Sequence, residues 1–116
     1  MSKKIIGIDI GGTTFSSSLF DQDLNIIKTS QKEFISNIRS TNKLLDSLVE
    51  QVNNFDCDEL IGIGVACPGP LDSKNGMILD TTNLHLLQNV NLKSELESRT
   101  SLPVYIENDA NLLALG

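Results

Sequence analysis

Tryptophan is absent, and one tyrosine and four phenylalanines are the only aromatics, so any core must be aliphatic, built from Ile, Leu and Val. Cysteine is nearly absent as well. Cys57 and Cys67 show no paired metal-ligand spacing, and two ligands cannot close a structural zinc site. Nothing in the chain signals secretion, so both read as reduced, partly buried thiols. Basic residues are in deficit: 9 Lys and Arg stand against 15 Asp and Glu, a net charge of −6. Such a surface repels phosphate backbones and anionic lipids, which argues against nucleic acid and membrane as partners. Long apolar runs are also missing. No segment approaches the length that spans a bilayer, and the short apolar stretch after Lys4 is too brief for a signal core and is interrupted by Asp9. The expected compartment is the cytoplasm.

What is present suits one small domain of 116 residues, 40% of them hydrophobic. Lys4 to Ile10 reads as a strand buried on both faces. Gly11-Gly12 turns the chain, and Thr14 to Phe20 resumes it as a strand with Phe15, Ser17 and Leu19 on one face. After the polar turn Asp21-Gln22-Asp23, Leu24 to Lys32 reads as a third strand. Links this short make the three antiparallel neighbours, because a parallel pair needs a long crossover. Ser40, Thr41 and Asn42 offer helix caps, and Leu44, Leu45, Leu48, Val49 and Val52 follow on one helical face. Asp56-Cys57-Asp58 closes that helix. Leu60 to Ala66 is a further strand, parallel to the first because a helix leads into it. Pro68-Gly69-Pro70 opens an irregular region, with a short strand at Met77 to Leu79. Leu92 to Arg99 predicts a helix, Val104 to Glu107 a strand, and Asp109 to Leu115 the start of a helix. The result is an α/β domain with a mixed five-stranded sheet, three antiparallel strands and then parallel ones. In such sheets ligands favour the carboxyl ends of the parallel strands.

Two segments carry candidate chemistry. In Asp9-Ile10-Gly11-Gly12-Thr13-Thr14 the glycines lack Cβ, so the backbone can turn sharply and offer N–H groups to an anion. Thr13 and Thr14 add hydroxyls, and Asp9 could hold magnesium beside nucleotide phosphates. An ordinary Gly-Gly hairpin explains the same residues. Glu107-Asn108-Asp109-Ala110-Asn111 lies at a strand-to-helix junction, where Asn and Asp serve as caps. It also suits a sugar site: the Asn amide can both donate to and accept from hydroxyls, and the Asp can take the proton of an attacking hydroxyl.

Four segments in register resemble the ROK family of sugar kinases, within the ribonuclease H-like, actin-like ATPase fold. Ile8-Asp9-Ile10-Gly11-Gly12-Thr13 resembles its first phosphate motif. Gly62-Ile63-Gly64-Val65-Ala66-Cys67-Pro68-Gly69-Pro70-Leu71-Asp72 is similar to its second conserved stretch. Thr82-Asn83-Leu84, followed by Asn89-Val90, resembles its sugar-facing loop. Leu102-Pro103-Val104 and then Glu107-Asn108-Asp109-Ala110-Asn111 resemble the stretch with its catalytic Asp. The resemblance implies that Asp109 is the catalytic base, that Asn108 holds sugar hydroxyls, and that Gly69, Thr82 and Asn83 shape the sugar pocket. It implies that Asp9, Gly11, Gly12, Thr13 and Thr14 face ATP phosphates and magnesium.

Thr14 stands where the family usually has Lys or Asn, and Leu87 where its sugar loop often has Trp. His85, the only histidine, matches no family motif and is assigned no catalytic role. Residues 1–116 correspond to the N-terminal domain. The family's second domain, with its Glu-x-Gly-His sugar motif, its zinc-binding Cys and His cluster and most adenine contacts, has no counterpart here. The expectation is therefore a truncated domain, negligibly active by itself and monomeric, from a homodimeric kinase of a hexose or N-acetylhexosamine. Two alternatives are a fragment of a sugar-sensing ROK repressor without its DNA-binding region and a non-catalytic sugar-binding domain.

Overall fold

Alternation decides the first strand. In β1 (Lys4–Ile10) the side chains of Ile6, Ile8 and Ile10 are buried on one face, while Asp9 on the other is exposed. Burial on both faces was expected; among the described residues only one face of β1 is covered. The computed structural model describes residues 3–11, 13–55, 58–67, 71–72, 77–78, 85–87 and 90–108. β2 (Thr14–Phe20) returns antiparallel, in register from Ile10 opposite Phe15 to Ile5 opposite Phe20. Its buried side chains are Phe15, Ser17 and Leu19, as the period of two requires. A Cβ on Gly7 would lie 2.9 Å from Cε2 of Phe20, so the missing side chain lets that ring lie across β1.

The third strand expected at Leu24 to Lys32 is confined to β3 (Ile26–Thr29), and a further strand, β4 (Glu33–Phe34), starts just past its expected end; both lie on the outer edge of β2. Leu24 has a positive φ of 66° and belongs to the turn. That turn is organised by Asp21, whose Oδ1 accepts from the N–H groups of Asp23 and Asn25, each at 2.9 Å. Farther along, the Ser17 N–H donates to the Ser30 hydroxyl at 2.9 Å, a side chain standing in for a ladder carbonyl. There the outer chain leaves the ladder, to rejoin it at Glu33.

The amide bonds from Asn25 and Asp23 hold the Asp21 carboxyl below its ordinary value of 3.8. A group whose folded pKa is lowered stabilises the fold above its unfolded pKa, and that contribution is lost as pH falls through the folded pKa. Acidification below about pH 4 should therefore shift the Asp23 and Asn25 amide resonances. An Asp21→Asn variant should show no such transition. The same titration in both proteins would remove Asp21 as the cause.

Helix α1 (Thr41–Asn54) starts at Ser40, whose side chain accepts from the Lys43 N–H at 3.2 Å; of the three candidate caps, Ser40 is the one used. Leu44, Leu45, Leu48 and Val52 are buried along one face, and Gln51 is buried with them. β5 (Leu60–Cys67) runs parallel to β1, and β8 (Val104–Asn108) runs parallel to β5. Each ends one residue beyond its expected limit. Between them lie a small hairpin of β6 (Leu71–Asp72) with β7 (Met77–Ile78), and α2 (Leu92–Thr100). Asn91 caps α2 by accepting from the Ser94 N–H at 3.0 Å. The helix ends at Ser101 with φ 61°, whose N–H closes on the Glu97 carbonyl at 2.8 Å.

The sheet order is β3-β2-β1-β5-β8, with β4 sharing the edge of β2. This is the expected mixed sheet with one strand more than expected, β4, which follows the expected third strand. Right-handed crossovers that step in one direction put their helices on one face. Accordingly α1 and α2 enclose a single aliphatic core with Ile6, Ile8, Ile10, Ile63, Val65 and Ile106. Arg99 of α2 bonds to Asp46 of α1 and fixes the two helices to each other. No helix among the described residues is long and apolar enough to cross a membrane.

Candidate functional site

The three parallel strands end side by side. Asp9 of β1 stands opposite Ala66 of β5, and Ala66 stands opposite Glu107 of β8. Cys67 and Asn108 pair one step farther along. Two interstrand spacings separate the Asp9 and Glu107 backbones, about 10 Å. Asp9 and Glu107-Asn108, the described starts of the two candidate segments, thus lie at one edge of the sheet. Only parallel pairing can do this: both strands flank β5 and point the same way.

The turn after β1 is tight. The Gly11 N–H donates to the Thr14 carbonyl at 2.8 Å, so that donor is already spent. A Cβ on Gly11 would meet only the Thr14 oxygen, at 3.5 Å, which is ordinary contact. The chain's own packing therefore does not demand glycine at this position. Thr13 is exposed, Thr14 half-buried, and Asp9 exposed on the face away from the helices. The Ile35 N–H donates to the Thr13 carbonyl at 2.8 Å, which ties the far limb of the turn to the residue after β4. Gly12, Gly69, Thr82, Asn83 and Asp109 lie outside the described residues. Asn108 is the last residue of β8 and precedes Asp109 directly.

The sequence profile of the ROK family matches residues 5–116. The chain belongs to the ROK family. It is 34% identical over 114 residues to a glucokinase of Thermotoga maritima, covering 97% of this chain and 36% of that protein. It is 33% identical to an N-acetyl-D-glucosamine kinase of Photobacterium profundum, covering 95% of this chain and 36% of that one. Among solved structures, a ROK family glucokinase from Streptomyces griseus in complex with glucose and AMPPNP superposes with a TM-score of 0.83 at 28% identity. That superposition covers 96% of this chain and 35% of the other. The chain thus spans little more than a third of the length of the relatives it matches, and its mixed sheet has the actin-like ATPase architecture of the ROK neighbours.

Within this ROK domain, Leu87, which stands where the family's sugar loop often has Trp, is wholly buried in the helix-side core. Thr41, read as a possible cap, instead donates its hydroxyl to the Leu86 carbonyl at 2.6 Å. Together they anchor the 85–87 turn under the start of α1. The sequence signal was present in the apolar pair Leu86-Leu87, but a long-range hydroxyl-to-carbonyl bond leaves no local pattern. Among the described residues no group of three or more His, Cys, Asp or Glu side chains could hold a metal. The single exposed carboxylate of Asp9 suits magnesium, which keeps several waters and takes phosphate oxygens as its other ligands.

Proposed function

We propose that this chain is the N-terminal domain of an ATP-dependent kinase acting on a hexose or N-acetylhexosamine. The observation that supports the reading is the cross-strand row Asp9, Ala66, Glu107, the end of β1 and the end of β8 lying at one edge. Asp109 takes the proton of a sugar hydroxyl as that oxygen attacks the γ-phosphorus of ATP, and ADP leaves with the broken bond's electron pair. Asn108 orients the sugar hydroxyls, and Gly69, Thr82 and Asn83 shape their pocket. The turn at Gly11, Gly12, Thr13 and Thr14 holds the phosphates. Asp9 would hold magnesium, which would supply neutralisation of phosphate charge. Positioning and charge supply most of the rate in such transfers. Use of an ATP donor supports a cytoplasmic location.

ADP release by the intact protein, measured with glucose, N-acetylglucosamine and N-acetylmannosamine in turn, tests the reading. At least one sugar should stimulate ADP formation strongly. Sugar-independent background with every hexose and N-acetylhexosamine would leave only a binding domain.

A further inference from the structure

The outer edge of β2 is shared by two strands, and the gap between them falls opposite Ser17. Ser17 is 1% exposed, a hydroxyl in a row otherwise occupied by Phe15 and Leu19. Gln51 is 4% exposed on the buried face of α1. Burying either polar group is unfavourable unless it is hydrogen-bonded. Each one is. The Ser17 hydroxyl donates to Gln51 Oε1, and Gln51 Nε2 donates to Glu33 Oε2 at 2.6 Å. The direction is forced from the Glu33 end. A carboxylate only accepts, so the amide nitrogen faces Glu33, the amide oxygen faces Ser17, and the hydroxyl must donate.

This relay joins β2, α1 and β4, and β4 needs it. The strand has two residues, both exposed, with Phe34 60% exposed, so burial does not hold it in place. A cavity of about 530 Å³, lined in part by Lys28, Glu33, Glu50 and Gln51, lies beside it. Yet β4 pairs with Thr14 and Phe15, and the following Ile35 N–H holds the Thr13 carbonyl. Whatever fixes β4 therefore fixes the far limb of the glycine turn.

We propose that Gln51 is a positioning residue for that turn, bracing β4 so that Thr13 and Thr14 are held where nucleotide phosphates bind. The functional half of the proposal rests on the phosphate reading given above; the brace rests on the hydrogen bonds. An inert buried amide, satisfied and nothing more, would stabilise the core without affecting one substrate more than the other.

The test uses Gln51→Met, which keeps volume and removes both bonds, together with Glu33→Ala and Glu33→Gln, in the intact protein. Gln51→Met and Glu33→Ala should speed amide exchange at Ile35 and Gly11 about tenfold while Ile8 and Val65 in the central ladder keep their protection. The KM for ATP should rise about tenfold, with the KM for sugar unchanged within about twofold. Glu33→Gln, whose amide oxygen still accepts, should behave as the parent does. Unchanged exchange at Ile35 and Gly11 in both disrupting variants overturns the brace. Faster exchange there with an unchanged KM for ATP overturns the phosphate reading instead, and the positioning role falls with it. If Gln51→Met does not fold, Glu33→Ala, at the exposed end of the relay, decides.

Discussion

Asp109→Asn should lower kcat for sugar phosphorylation by roughly 10³-fold, inside the range for losing a general base. Sugar and ATP binding should stay within a few fold. The substitution separates the two readings of this residue. As a helix cap, Asp and Asn are near equals, so an exchange between them leaves stability almost unchanged. As a proton acceptor they differ completely, because an amide cannot take the hydroxyl proton at neutral pH. The expected signature is a fall in kcat with an unchanged KM, the mark of an interaction made only in the transition state. Thermal unfolding checks that the variant folds, and steady-state kinetics on the best sugar check the rate. Full activity in a folded variant would remove Asp109 from the chemistry.

The fold was legible wherever one face of an element met the core. Leu44, Leu45, Leu48 and Val52 recur at helical spacing, so the helix could be read directly, and the Ile-rich run of β1 was read as a strand, though with both faces buried instead of one. The outer edge was less legible. The stretch Leu24-Asn25-Ile26-Ile27 looks like strand, yet Leu24 is 66% exposed in a left-handed turn and Ile26 is 63% exposed. Periodicity reports burial, and an edge strand with no burial gives it nothing to report. The break at Ser30 to Lys32 depends on one serine hydroxyl replacing a backbone acceptor, a choice between nearly equal hydrogen bonds.

The candidate site divides along the same line. Its residue types were readable as motifs, because Gly-Gly and Glu-Asn-Asp are local patterns. Their meeting on one edge follows from strand order: β1 and β8 flank β5, and both run parallel to it. Gln51 was missed for the opposite reason. A lone Gln on an apolar helix face reads as a flaw in the pattern, and its partners are 34 and 18 residues away in sequence. Only the fold shows that this polar residue connects the core to the turn.

Gly11→Ala should leave the fold intact and weaken ATP binding about 10²-fold, the scale of losing a hydrogen bond to a charged group, about 1.5–3 kcal/mol. The first half follows from the space at the site. The new Cβ would rest 3.5 Å from the Thr14 oxygen, an ordinary contact, and Gly11 does not occupy the left-handed region. Alanine also narrows the unfolded ensemble, so stability should hold or rise by about 0.4–1 kcal/mol. The second half follows only if something outside the chain approaches this backbone closely. A plain hairpin has no such visitor and should gain stability at no functional cost. A phosphate loop should lose ATP while sugar affinity stays level, because the methyl group intrudes where phosphate oxygens approach the turn. Thermal midpoints and separate ATP and sugar titrations of the intact protein distinguish these outcomes. A stable variant with unaltered ATP affinity would return Asp9-Ile10-Gly11-Gly12 to the status of a turn and leave the nucleotide with no place at this edge.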